Sequence, residues 1–151
     1  MKKKLLFIIL ILFNTSYAFG DLIKPNLKIE PKQVINIQLS ALMKNDVKDS
    51  GIIQTWEFAH PNNRKVTGPI ERFKNMIKTD SYSMLLNHTN NEILEVYLSD
   101  EVATFEVIVM DSNKKYYRFK WQIEKYNIDG PLKNCWLTTA FSLPMALGSS
   151  I

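Results

Sequence analysis

The chain has 151 residues, enough for one domain of ordinary size, and its 46% hydrophobic and 11% aromatic content can fill a packed core. Five glycines and six prolines exclude collagen-like or low-complexity architecture, and no apolar run reaches the roughly 18 residues of a membrane-spanning helix. One cysteine excludes an internal disulfide framework, and with only two histidines it excludes a Cys/His-rich metal cluster.

Lys2, Lys3 and Lys4 precede nine unbroken apolar residues, Leu5 to Phe13. Ser16 and Ala18 then supply small side chains at the −3 and −1 spacing of a signal-peptidase site, so residues 1–18 read as a signal peptide cleaved after Ala18. As a helix the apolar stretch would span about 14 Å against a hydrocarbon core of about 30 Å, too short for an anchor. The protein is therefore expected in the periplasm or outside the cell, with membrane contact only through the uncleaved segment. The formal charge of +4 then falls, because the lost segment carries three lysines and no acid, leaving 16 basic against 15 acidic residues. A near-neutral chain gives no electrostatic footprint for nucleic acid.

Residues 19–30 lack periodicity and read as an extended lead-in. Pro31 suits the first position of a helix, and Ile35, Leu39, Leu42 and Met43 follow on one face, predicting a helix to about Asn45. Asp49 or Ser50 is expected to cap a second helix carrying Ile52, Ile53, Trp56 and Ala59, ended by Pro61 and Asn62-Asn63. A third begins at Thr67-Gly68-Pro69, with Ile70, Phe73 and Ile77 as its apolar face.

The second half reads as strands. Tyr82–Asn87 is expected as a short strand, followed by Ile93–Leu98, Ala103–Met110, Tyr116–Tyr126 and Cys135–Phe141. Along 116–126, Tyr117, Phe119, Trp121 and Ile123 alternate with Tyr116, Arg118, Lys120, Gln122 and Glu124, the period of an antiparallel strand buried on one face. Residues 144–151 show no pattern and are expected as a loose tail. Helices followed by a meander of strands predict an α+β fold over residues 31–143, with N-terminal helices packed on a curved antiparallel sheet.

The chain also resembles a known family. Pro31–Leu42 (PKQVINIQLSAL), Phe58-Ala59-His60-Pro61-Asn62, Gly68-Pro69 with Arg72-Phe73 and Met76-Ile77, Tyr82, and Asp129-Gly130-Pro131 with Cys135-Trp136 resemble the bacterial and plastid family described as domain of unknown function 4864. Many members carry a Trp after the Asp-Gly turn, where this chain has Leu132. The resemblance implies a cone-like fold near the nuclear-transport-factor-2-like, or cystatin-like, superfamily. It implies no catalytic residue.

The residues themselves support little chemistry. His60 is the one candidate acid–base group, in Ala59-His60-Pro61 at a helix end, where capping competes with catalysis. His88 lies in a polar loop and is expected to be exposed. No short His spacing supports a metal, no G-x-S-x-G supplies a serine nucleophile, and Cys135 lacks a cationic neighbour in sequence. An interior carboxylate would have to come from the helices, from Asp46, Asp49 or Glu57. The leading expectation is a non-enzymatic binding or interaction protein without metal or cofactor. A small apolar ligand would sit among Trp56, Tyr82, Phe105, Tyr117, Phe119 and Trp121. The alternatives are a small hydrolase or isomerase using His60 with a helix carboxylate, and a structural homodimer formed through the outer sheet face.

Overall fold

The computed structural model describes residues 20–149; the signal-peptide reading, with cleavage after Ala18, falls outside them. Among the described residues four α-helices precede five strands: α1 (Pro31–Met43), α2 (Ser50–Glu57), α3 (Pro61–Thr67), α4 (Ile70–Ile77), β1 (Asn90–Leu98), β2 (Val102–Met110), β3 (Lys115–Lys125), β4 (Trp136–Phe141) and β5 (Met145–Ser149). All strand pairs are antiparallel, in the order β1-β2-β3-β4, and β5 pairs β3. The fold is α+β, and the sheet is not closed. Among the described residues no helix is long and apolar enough to cross a membrane.

Local chemistry sets the helix boundaries. Pro31 occupies the first turn of α1, and Glu30 and Gln33 form a reciprocal capping box around it. The start of α2 differs from expectation. Asp49 sits in the left-handed region (φ 61°) and makes no side-chain cap; its carboxylate pairs with Lys78 at 2.8 Å. The free amides are met from upstream instead, with Ser50 N–H donating to Asp46 Oδ1 (3.1 Å) and Ile52 N–H to Asn45 Oδ1 (3.2 Å). Gly51 lies against α1 so closely that a Cβ would stand 2.1 Å from the Ala41 carbonyl oxygen, and only glycine allows this approach.

Three further elements correct the sequence reading. Pro61, expected to end a helix, opens α3, because the first helical position needs no N–H. Residues 82–87 form no strand; Ser83–Leu85 is a single 3-10 turn whose Leu85 is fully buried. Residues 145–149, expected loose, form β5, which continues the β4 edge along Lys115–Arg118 of β3. Its side chains are all exposed, so no apolar alternation marks it; main-chain pairing alone makes it a strand.

The core lies between α1, α2, α4 and the inner face of the sheet. Val34, Ile35, Leu39, Leu42, Ile52, Phe73 and Ile77 meet Phe105, Val107, Val109, Phe119, Trp121 and Ile123 there. The expected phase of β3 is the observed one: Phe119, Trp121 and Ile123 point inward and Lys120 outward. A buried polar chain crosses this core. Gln38 Oε1 accepts from Thr138 Oγ1 (2.7 Å) and Trp121 Nε1 (3.2 Å), while Gln38 Nε2 donates to the Thr55 carbonyl (3.1 Å). Residues 58–60 add a short parallel rung beyond β4, with Thr138 N–H donating to Phe58 O and His60 N–H to Thr138 O.

A candidate binding cleft at the β4 edge

His60 stands where α2 gives way to α3, at the N-terminal cap of α3 and not at a helix C-terminus. Its Nδ1 accepts a hydrogen bond from Asn62 N–H (3.0 Å), so that nitrogen must be unprotonated. The ring is largely buried, edge-on to Tyr126 at 5.3 Å. Burial pushes its pKa below the ordinary value, opposed by the negative charge of Glu124. The neutral imidazole is thus a structural acceptor at a site where an imidazolium would also oppose the helix dipole.

The helix carboxylates expected to assist it are engaged elsewhere. Asp46 takes the amides of Lys48 and Ser50, Asp49 pairs with Lys78, and Glu57 pairs with Lys24 at 2.8 Å. Asp46 is accordingly held below the usual carboxylate range, chiefly by its bonds from Ser50.

His88 is a correction. It is buried, not exposed: Nδ1 donates to the Leu85 carbonyl (2.7 Å) and Nε2 accepts from Asn91 Nδ2 (2.9 Å). Those partners select the neutral ring with its proton on Nδ1. Burial lowers its pKa, and the Leu85 bond opposes this. Cys135 is also buried, which raises its thiol pKa and leaves it an inert hydrophobe. Among the described residues no three of His, Cys, Asp and Glu come together as a metal site.

The six residues expected around an interior ligand are spread between the core and the surface. Phe105, Phe119 and Trp121 are fully buried core. Trp121 stacks on Phe141 (4.7 Å between ring centroids), and its N–H is taken by Gln38 and Thr138. Trp56 packs on Phe73 at 4.9 Å, with the Arg64 guanidinium 5.2 Å above its ring. Tyr117 is half-buried, paired with Val109 and Ala146. Of the six, Tyr82 lines the cleft at the β4 edge.

Among the described residues, two clefts stand out on the surface. The larger, about 970 Å³, lies under the lead-in, between Gly20–Ile23 and residues of α1, α2 and their connection. The lead-in is fastened there by a reciprocal pair, Ile23 N–H to Gln54 Oε1 (2.8 Å) and Gln54 Nε2 to Ile23 O (2.9 Å). One wall is thus a single strap of chain. The smaller cleft, about 400 Å³, has walls of helix and strand on most sides: Asn62, Asn63, Val66 and Thr67 of α3, Met76 of α4, Tyr82, Glu124 of β3, and Thr139, Ala140 and Phe141 of β4. Sites that bind small molecules are mostly preformed in this way.

A bulge builds the second cleft. Ile123 pairs with Thr138 and Gln122 with Ala140, so Thr139 is an extra residue in β4. Its hydroxyl closes the irregularity by donating to Gln122 O (3.3 Å). The cleft thereby joins Glu124, from the polar face of β3, to Phe141, which lies over the core tryptophan and edge-on to Tyr82 (5.3 Å, 89°). The alternation of β3 marks Glu124 as an outer residue, but nothing in the sequence signals the bulge that brings it beside Phe141.

A family model described as Domain of unknown function (DUF4864) matches residues 25–138. The chain belongs to that family. The match takes in every helix and the first three strands; Thr139, Ala140 and Phe141 lie just beyond it. No curated protein and no solved structure matches the chain.

Proposed function

We propose that the protein is exported after cleavage following Ala18 and serves as a non-enzymatic binding protein, its small ligand held in the cleft at the β4 edge. The observation that carries this reading is the cleft itself: about 400 Å³, with Tyr82, Phe141 and Met76 as apolar wall and amide, hydroxyl and carboxylate groups at the rim. The roles of His60 and His88 as structural hydrogen-bond partners support binding over acid–base turnover.

Titration with the neutral fluorophore N-phenyl-1-naphthylamine tests the cleft. Saturable enhancement is expected from the native chain and not from Ala140→Trp, which fills the space from an exposed position. Enhancement that never saturates, or that survives Ala140→Trp unchanged, overturns the assignment. Export is tested separately by intact mass: the mature chain should begin at Phe19, and retention of residues 1–18 refutes cleavage.

A second reading, a homodimer formed through the free β1 edge and not through the outer sheet face expected from the sequence, has one observation behind it. Leu94, Val96, Tyr97 and Leu98 are all exposed along β1, a strand at the free edge of the sheet. Apolar edges of this kind favour pairing with another copy. The homodimer reading predicts that sedimentation shows a dimer which Val96→Lys dissociates; a monomer at every concentration removes it.

A further inference from the structure

Resting on the binding reading above, the geometry points to a ligand class: we propose that the β4-edge cleft takes a small organic cation, an ammonium carried on an aromatic or apolar body. Three observations converge. Glu124 is the sole charged side chain in the cleft wall. Its carboxylate takes one hydrogen bond, from Gln122 Nε2 (3.0 Å), and no ion pair among the described residues, so most of its acceptor capacity is free. Two nearby cations are committed elsewhere: Arg64, from the α3 wall of the cleft, donates to the carbonyls of Trp56, Glu57 and Ala59, and Lys125, next in sequence, lies over the Trp136 ring at 4.9 Å.

The rim donors point the same way. Three of the rim donors are drawn into the protein while the carboxylate is left accepting: Asn63 Nδ2 donates to Thr138 O, Thr139 Oγ1 to Gln122 O, and Thr67 Oγ1 to Asn63 O. The apolar wall is selective as well. Tyr82 and Phe141 both line the cleft, and aromatic rings attract cations at their faces and repel anions there. An anionic ligand would meet both the carboxylate and these rings, and a neutral one would leave the carboxylate without a charged partner.

The test uses three probes of nearly one shape, 2-phenylethylammonium, 2-phenylethanol and 3-phenylpropanoate. Each is titrated into the ¹⁵N-labelled chain while the Thr139 and Ala140 amides are followed by NMR. The ammonium should bind about tenfold more tightly than the alcohol, the factor expected of a charge-assisted hydrogen bond, and the carboxylate probe least well. Glu124→Gln, nearly isosteric, should bring the ammonium down to the alcohol. Val66→Lys, at an exposed wall position, should weaken the ammonium and favour the carboxylate probe. Equal affinity for ammonium and alcohol, or an ammonium preference that survives Glu124→Gln, overturns the cation assignment while leaving the cleft a binding site. Failure of all three probes to shift either amide overturns the cleft itself.

Discussion

Replacing Gln38 by leucine removes the hub of the polar chain that links α1, α2, β3 and β4 across the core. Three groups lose a partner: the Thr138 hydroxyl, the Trp121 indole N–H and the Thr55 carbonyl. They are not equal losses. Thr55 O keeps the Phe58 N–H at 3.3 Å, and the indole keeps a long contact of 3.4 Å to Thr138 Oγ1. The Thr138 hydroxyl loses its short acceptor outright. One full orphan and one weakened donor, at about 1–3 kcal/mol per unsatisfied buried group, give a net cost of about 2–3 kcal/mol once the greater apolarity of leucine is credited. That corresponds to a fall of about 10 °C in Tm for a domain of this size. Thr138→Val should cost about 1 kcal/mol in the native chain, because Gln38 retains the indole. In the Gln38→Leu background it should cost nothing or restore stability, since the orphan hydroxyl leaves with it. Urea titrations of the two singles and the double complete the cycle. A Gln38→Leu chain within about 0.5 kcal/mol of the native one, or strict additivity of the pair, would refute the network as a coupled unit.

Gly51→Ala drives a methyl into the Ala41 carbonyl, where neither helix backbone has room, and should cost about 3 kcal/mol in a urea titration; a neutral result would mean that α1 and α2 are not packed at this distance. Phe73→Ala, at a fully buried ring on α4, should cost about 3–5 kcal/mol by lost burial and the cavity left behind, and a loss below about 1 kcal/mol would place that face in solvent. Both histidines have folded-state pKa values below the ordinary 6.5, so they bind protons more readily once unfolded. Their contribution is complete above that value and is lost as pH falls from it toward the depressed folded values, so the urea midpoint should drop between pH 7.5 and 5. His88→Gln should flatten much of that slope, and an unchanged slope would refute the neutral, buried ring.

The parts of the fold legible in the sequence are those in which a side chain's partner is the core. Val34, Ile35, Leu39 and Leu42 on α1, Phe73 and Ile77 on α4, and Phe119, Trp121 and Ile123 on β3 follow from period alone, because burial imposes that period. What side-chain period does not reveal is set by backbone partners. The β5 strand exists through main-chain pairing with Lys115–Arg118, and exposed side chains carry no record of it. Pro61 carries one meaning as a helix breaker and another at a first helical turn, and the choice rests on His60 accepting the Asn62 amide. His88 looked solvated because its neighbours are Asn and Thr, yet Leu85 O and Asn91 give a buried ring both of its bonds. In the same loop Asn87 reaches back to the carbonyl of Asn45 at 2.9 Å, which turns a polar sequence into a helix end-piece.

The same division explains why the site was harder to read than the core. A binding group is recognised by what it leaves unsatisfied, and that is a property of the folded partners. Asp46, Asp49, Glu57 and His60 all resemble functional groups in a linear sequence, and each is matched by an amide or an ammonium once the chain is folded. Glu124 resembles an ordinary outer-face residue, and it is the one whose acceptor capacity survives folding beside two aromatic rings. The extra residue at Thr139 produces that difference. Had β4 paired without a bulge, Thr139 would face Gln122, Ala140 would face Trp121, and Phe141 would face Lys120 on the outer side of the sheet, away from the indole. One residue of register therefore both closes the core over the indole and opens the cleft beside it.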